Sequence, residues 1–435
     1  MHRQSVRFRL VSLCSAALVA ACQTAAPPPE GGAADTLPSP STGSAAAQQP
    51  AQQARVLTGL EVLVRDSLAL VRGKRVGLIT NQTAVTSRGE HAVDLLTRTQ
   101  GVRLVALYGP EHGVRGNIEG GVHIANQRDS ATGVPVFSLY GQTQKPTAEM
   151  LRDVDVLMFD IQDIGARPYT FVWTMALAME AAAERRIPFV VLDRPNPITS
   201  VAQGPMMARE IRDERIGQPI TGLYPVPLRH GMSSGEIARY VNAEFRVGAD
   251  LHVIPAAGWR GGEWFDATGL RWINPSPNIR SPDAALKYSG LVLAEATNLS
   301  VGRGTDAPFS YLGATWLRAG DVLAAVRKYN LQGIRLDTVV ITPTGAQPHH
   351  MVRLTVTDRA RADIPFITLA LLTEIKRLHP QFRVIDPPGM TQMLGSKWAM
   401  AAFQRGDDAT QIQQRWTQEL ATWRQMQDRY RIYPK

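Results

Sequence analysis

"DVLMFDIQDIGARPYTFVWTMALAMEAAAERRIPFVVLDRPNPI", residues 155–198, contains one complete structural unit. The apolar run "DVLMF" stops abruptly at the polar loop "DIQDIGARPYT". "TMALAMEAAAERR" then has the length and spacing of a helix, and "IPFVVL" is a second apolar run that stops at "DRPNPI". Both runs are too uniformly apolar for a strand with one face in water, so they belong in a sheet covered on two sides. Upstream the pattern repeats: "KRVGLI" ends in "TNQT", "VRLVAL" in "YGPEHG" and "VPVFSL" in "YGQTQKP", with helical patterns in "GEHAVDLLTRTQ" and "TAEMLRDV". Strands and helices alternating at a spacing of roughly thirty residues predict an α/β, Rossmann-like, doubly wound domain with a mostly parallel sheet.

Ligands of such sheets bind outside the carboxyl ends of the strands. Five consecutive ends here carry polar loops: Asn81 and Gln82; Glu111 and His112; Tyr140; Asp160, Gln162 and Asp163; Asp193, Arg194 and Asn196. Their convergence on one edge predicts a site. No nucleotide fingerprint accompanies it: GxGxxG does not follow the first strand, GxxxxGK[ST] is missing, and "GRGTDAP" (302–308) lacks the third glycine. Neither GxSxG, HExxH nor CxxC occurs, so the sequence predicts no cofactor and no metal.

Beyond residue 220 the chain is loop-rich, with "SSGE" as a helix start and "GWRGGEWFDATGLRWINPSPNIRSP" as a long surface loop. Its Trp259, Trp264 and Trp272 serve either as sugar-stacking platforms or as plugs between domains. "VRLTVTD" reads as a strand and "DDATQIQQRWTQELATWRQMQDRY" as a helix. The break at "NPSPNIRSP" divides a catalytic domain, residues 56–280, from a smaller α+β C-terminal domain, residues 281–435.

The start differs in kind. A basic "MHRQSVRFR" precedes the apolar "LVSLCSAALVAA", a segment of about a dozen residues too short to span a bilayer. "LVAAC" resembles a lipobox, which makes residues 1–22 a lipoprotein signal with Cys22 as the lipidated terminus. Residues 23–55, rich in Ala, Pro and Gln, have too little apolar surface to order themselves and read as a flexible tether. The expected location is the cell envelope, on the periplasmic face of the outer membrane in a diderm cell, since Gln23 follows the Cys. Loss of the signal removes Arg3, Arg7 and Arg9, leaving 44 basic against 38 acidic residues, or +6. The basic residues are scattered, so no nucleic-acid partner is expected.

Glycoside hydrolysis needs two carboxyl groups across a cleft, one of them a proton donor. Glu111 is the acid candidate, His112 shares its loop, and Asp160, Asp163 and Glu295 are candidate partners. Each has a structural alternative: a helix cap, or for Asp160 and Asp163 a salt bridge to Arg167. A metal site from Glu111, His112, Asp160 and His230 has only weak support from their wide spacing.

Taken in order, "GLITNQTAV", "LYGPEHGVRG", "GVPVFSLYG", "DVLMFDIQDIGARPYTFVWTM", "VLDRPNPI", "PLRHGMSSGEIA", "NPSPNI" and "EATNLSVGRGTDAPF" closely resemble the NamZ-type exo-acting β-N-acetylmuramidases. The resemblance runs from about residue 56 to "DRYRIYP" at the C-terminus. It implies release of N-acetylmuramic acid from the non-reducing end of peptidoglycan fragments without a nucleotide cofactor, in a cleft between a Rossmann-like and a smaller domain. It places an acid/base role on Glu111. The matching motifs make Asn81, Gln82, Arg115, Gln162, Arg167, Tyr169, Asn196, Arg229, His230, Asn278, Glu295, Asn298 and Arg303 candidate substrate contacts. N-acetylmuramic acid carries a lactyl carboxylate, for which Arg115, Arg167, Arg229 or Arg303 is the expected partner. Ala296 and Val301 stand where the resemblance leads one to expect a Gly and a Glu, so a second carboxylate from that segment is not assumed. The competing readings are a non-catalytic peptidoglycan-binding lipoprotein, which the presence of Glu111, His112, Asp160 and Asp163 opposes, and an esterase or deacetylase, which lacks its nucleophile or metal motif.

Overall fold

All five apolar runs become strands of one sheet. In the computed structural model, which describes residues 56–116 and 127–435, they are β1 (Arg75–Thr80), β2 (Arg103–Gly109), β4 (Pro135–Ser138), β5 (Val156–Asp160) and β6 (Phe189–Leu192). A short β3 (Gln127–Arg128) precedes β4, and β7 (Gln203–Met206), β8 (Pro227–Arg229) and β9 (Leu251–Ile254) follow β6. The sheet runs β3-β4-β2-β1-β5-β6-β9, all parallel except β3, while β7 and β8 form a separate antiparallel pair. Numbering only the parallel strands in chain order gives 3-2-1-4-5-6, the order of dinucleotide-binding domains. The lipobox, the tether and their Cys22 lie outside the described residues.

Alternation along the strands shows why the runs are uniformly apolar. Val156 and Met158 of β5 join Val76, Leu78, Val190 and Leu192 on one face, beneath α1 (Gly59–Asp66) and α2 (Ala92–Arg98). Leu157 and Phe159 join Ile79, Phe189 and Val191 on the other, beneath α3 (Phe171–Arg185). Each strand therefore has two dry faces. α3 is the helix expected at the centre of the quoted unit, and it ends at Arg186 in a left-handed cap. The "SSGE" signal is also realised: after the short α4 (Arg209–Asp213), α5 (Ser234–Glu244) starts in a capping box between Ser233 and Glu236. "TAEMLRDV" differs from expectation. Residues 147–154 form successive turns rather than a helix, and their Leu151 and Val154 are still buried. An eight-residue segment following Pro146 can bury its apolar side chains without completing a cooperative helix.

The C-terminal part is α+β. α6 (Pro282–Leu291) leads to β10 (Tyr311–Ala314), α7 (Ala319–Val326), β11 (Ile334–Ile341) and β12 (His349–Val356), an antiparallel sheet in the order β10-β12-β11. α8 (Ile364–Leu378), α9 (Pro387–Met393), α10 (Lys397–Arg405) and α11 (Ala409–Tyr430) complete it. Its buried residues are continuous with those of the α3 side of the large sheet. After α11 the chain returns to the first part, where the Tyr433 hydroxyl donates to Asp193 Oδ2 at 2.7 Å. The tryptophan-rich loop is used for packing. Trp259 is buried edge-on against Tyr433, Trp264 packs against the guanidinium groups of both Arg229 and Arg359, and Trp272 packs edge-on against Phe265. Among the described residues no helix is long and apolar enough to cross a membrane.

Candidate active site

β2 ends in "YGPEHG", and the turn there is strained. Gly113 N–H donates to Pro110 O at 2.9 Å, closing a four-residue turn whose third residue is His112 at φ +72°. Positive φ at this position is usually left to Gly, and a side chain there costs about 1–2 kcal/mol. Another part of the structure must hold the turn in place. His112 is nearly buried, and Glu111 faces a cleft of about 920 Å³. Tyr140, just past β4, stands close enough to the Glu111 carboxylate to feel its charge; burial, then that carboxylate, push the Tyr140 hydroxyl up to about 12. Gly116 makes room for a neighbouring loop, since a Cβ there would lie 2.4 Å from the Gln82 side chain.

The cleft has two unlike walls. One is made by the ends of β2 and β4 and by Pro168–Thr170 of the loop before α3. The other comes from the second half of the chain: Ser276–Ile279, Tyr288 of α6, and Arg303 and Phe309 before β10. Tyr169 meets Tyr288 edge-on at 5.8 Å, and Tyr288 meets Phe309 at 4.9 Å, so the walls join through an aromatic seam. Burial, first of all, raises the Tyr169 and Tyr288 hydroxyls far above the usual range, and the charge of Glu111 adds to this. Phe309 is a second residue at positive φ, +62°, so strained backbone occurs on both walls. Gln218 and Thr221 form part of the rim. They are held by the buried Gln392 of α9, whose Nε2 donates to Gln218 O and Gly222 O and whose Oε1 accepts from Gln218 N–H and the Thr221 hydroxyl.

Of the residues singled out in the sequence, Glu111, His112, Tyr169, Asn278 and Arg303 line this cleft. Glu295 touches it indirectly, through an ion pair with Arg303. The rest lie elsewhere, for physical reasons. Asp160 is fully buried in a two-point ion pair with Arg194, at 2.6 and 3.2 Å, rather than with Arg167. Asn81 Oδ1 accepts from Thr83 N–H and hydroxyl, Gln82 Nε2 donates to the carbonyls of Asn274 and Pro275, and Gln162 Nε2 donates to those of Asp163 and Pro195. Asn196 and Asn298 tie their loops to Met232 O and Gln381 O. Asp163 accepts from Gly165 N–H and lies 3.2 Å from His230 Nε2, while His230 Nδ1 accepts from Met232 N–H, which makes Nε2 the protonated nitrogen. Both are buried behind Tyr169, whose hydroxyl feels the Asp163 charge.

The arginines divide in the same way. Arg115 gives all three guanidinium nitrogens to Asp94, Asp129 and His91. Arg167 is fully buried and donates to four backbone carbonyls, and burial draws it down to about 9. Arg229 donates to Gln203, Ile198 O and Thr199. Arg303 alone among the four faces the cleft. The postulated metal group is dispersed as well, with Asp160 on Arg194 and His230 on Asp163, and among the described residues no three His, Cys, Asp or Glu side chains cluster as ligands. Tyr140, named among the polar strand ends, also lines the cleft, whereas Gln144, Ser276, Tyr288 and Phe309 were not named individually as site residues. Tyr140 and Gln144 had a signal in the polar strand end "YGQTQKP", and Ser276 and Phe309 in the stretches "NPSPNI" and "EATNLSVGRGTDAPF"; Tyr288 had none.

The crevice between β1 and β5, where strand order reverses, leaves only about 10 Å³ among Thr83, Val85, Gln162 and Arg194, room for a single water. The open site lies instead over β2 and β4. Comparison with known proteins places the whole chain. Residues 76–283 match the N-terminal and residues 286–433 the C-terminal domain of exo-β-N-acetylmuramidase NamZ. The chain belongs to the NamZ family. It is 38% identical over 391 residues to the peptidoglycan β-N-acetylmuramidase NamZ of Bacillus subtilis, spanning 88% of this chain and 93% of that protein. Two crystal structures from Bacteroides fragilis, of proteins placed in a family of unknown function, share the NamZ fold. The first has a TM-score of 0.81 at 33% identity, covering 88% of this chain and all of that one; the second has 0.69 at 27%, covering 87% and 99%.

Proposed function

We infer that this NamZ-family chain is an exo-acting glycosidase that hydrolyses the β-glycosidic bond of N-acetylmuramic acid at the non-reducing end of peptidoglycan fragments. Glu111 carries the reading: it is the only carboxylate lining the cleft among the described residues, at a strand end, on a strained turn, with the Tyr140 hydroxyl close enough to feel its charge. In this reading Glu111 donates the proton to the departing oxygen, and His112 holds the turn that presents it. The aromatic seam offers flat apolar surface for a sugar face, and about 920 Å³ accommodates a disaccharide.

The test is release of 4-nitrophenol from its β-N-acetylmuramide by the purified protein, alongside the matching glucosaminide and with and without chelator. Glu111→Gln should lower kcat by about 10²- to 10⁴-fold with folding unchanged. No release by the unaltered protein would leave a binding lipoprotein instead, and loss with chelator would mean a metal does the work. For location we propose an envelope lipoprotein exported through the N-terminal signal and anchored by lipidated Cys22, with residues 23–55 as tether; in a diderm cell Gln23 favours the outer membrane. Fatty-acid labelling that persists in Cys22→Ser would overturn that.

A further inference from the structure

We propose that Arg303 reads the lactyl carboxylate of N-acetylmuramic acid and so sets the preference for muramic over glucosamine ends. The proposal rests on the muramidase reading above. Its basis is a difference in what the arginines have left to offer. Arg115, Arg167 and Arg229 donate from their terminal nitrogens to protein groups. Arg303 gives Nε to Glu295, while neither terminal nitrogen donates to any described residue. An arginine held by Nε presents its two Nη groups together, the edge that grips a carboxylate at two points.

Its placement suits that role. Gly302 and Gly304, at φ +79° and +78°, bracket Arg303 in a tight loop, and a Cβ on Gly302 would lie 2.8 Å from the Tyr311 ring. The guanidinium carbon stands 5.1 Å over the Phe309 ring, so its plane is fixed by an aromatic face on one side and Glu295 on another. Arg303 is half-exposed in the cleft, close enough to Glu111 to feel its charge. A lactyl carboxylate entering this cleft brings a negative charge, and Arg303 is the only arginine or lysine lining the cleft among the described residues that can offset it. Glucosamine lacks that carboxylate and gains nothing from the contact.

Arg303→Met keeps much of the side-chain volume and, at a half-exposed position, should leave folding intact, which a melting curve verifies. Titration calorimetry of the full chain with N-acetylmuramic acid, its lactyl methyl ester and N-acetylglucosamine, together with turnover of the chromogenic muramide, measures the contact. The expected result is a fall in muramic acid affinity, and a rise in KM for the muramide, on the order of 10- to 100-fold, with the acid-to-ester preference lost to the same extent and partly restored in Arg303→Lys. An unchanged acid-to-ester ratio, or an equal loss for all three ligands, would overturn the proposal. If the unaltered protein binds muramic acid over its ester but never cleaves the muramide, the glycosidase reading fails and the Arg303 contact stands.

Discussion

Replacing Asp160 separates a brace from a catalyst at a position that reads in sequence as a candidate partner of Glu111. The carboxylate is fully buried and Arg194 nearly so, and the pair is joined at 2.6 and 3.2 Å. Asp160→Asn removes the charge and leaves one oxygen for Nε, so Arg194 remains buried with an uncompensated charge and the Val85 carbonyl at 3.0 Å as its other acceptor. Breaking a buried pair from one side costs about 3–5 kcal/mol, and the retained oxygen puts Asn at the lower end, about 3 kcal/mol. Urea unfolding followed by tryptophan fluorescence should show that loss as a lower midpoint at constant slope. The double variant Asp160→Leu/Arg194→Met, with no charge left to bury, should regain most of it. Asp160 does not line the cleft, so at about 20 °C, where Asp160→Asn is still folded, turnover of the chromogenic muramide should stay within a few-fold of the unaltered chain. A variant with an unchanged midpoint and turnover down about 100-fold would show that Asp160 takes part in the chemistry and that the brace argument is wrong.

Tyr140→Phe removes the hydroxyl that stands beside the Glu111 carboxylate, and kcat should fall about 10- to 100-fold with KM little changed; a pure KM effect would make Tyr140 a sugar contact instead. Gln392→Ala frees four hydrogen bonds holding Gln218, Thr221 and Gly222, so stability should drop by about 2 kcal/mol and KM rise several-fold through a loosened rim, both read on one preparation. Asp193 is fully buried, and burial raises it from 3.8 to about 6 despite bonds from Ser233, Gly235 and Tyr433. The folded state therefore holds a proton that the unfolded chain releases, so this group's contribution is present below about pH 4 and is lost as pH rises from about 4 to 6. The loss is on the order of 3 kcal/mol, and Asp193→Asn should abolish that slope in denaturation series run at each pH.

The strands were legible because burial on both faces leaves a mark in every residue of a run: Val156 to Phe159 cannot alternate with polar side chains when α1 and α2 cover one face and α3 the other. The site was legible only by half. A polar loop after a strand marks the ligand edge, yet it does not say whether its side chains reach a ligand or the next loop. Glu111 and Asp160 look alike in sequence; Asp160 meets Arg194, which is brought beside it only by the pairing of β5 with β6. Tyr288, Arg303 and Phe309 belong to a wall that forms when the second half of the chain packs against the first, and no local pattern encodes that approach. Composition left the tryptophan loop open between sugar stacking and plugging, and could not decide it, since Trp259 is buried against Tyr433 from the far end of the chain, where sequence proximity offers no hint.

The filled crevice explains how a dinucleotide-type strand order serves a sugar hydrolase. In a nucleotide-binding domain the helix after the first strand points its free N–H groups at a pyrophosphate. Here that helix is α2, and its start is occupied by its own cap: Val93 N–H donates to His91 Nδ1, while His91 Nε2 donates to Asn81 O at 2.9 Å. The ring must be neutral to accept at Nδ1, and burial, which lowers its pKa, keeps it so. Arg194 reaches across from β6 to Asp160 and Val85 O, and the Gln162 N–H is taken by the Thr83 hydroxyl. Donors that would hold phosphate are thus engaged by protein acceptors over β1, β5 and β6. β2 and β4 are left with open carboxyl ends, and it is over these that Glu111 and Tyr140 meet the wall carrying Arg303. Relocation to these strands carries the site away from the α2 N-terminus and toward a seam of Tyr169, Tyr288 and Phe309, which offers a flat apolar face to a sugar where a nucleotide-binding domain offers backbone N–H groups to a phosphate.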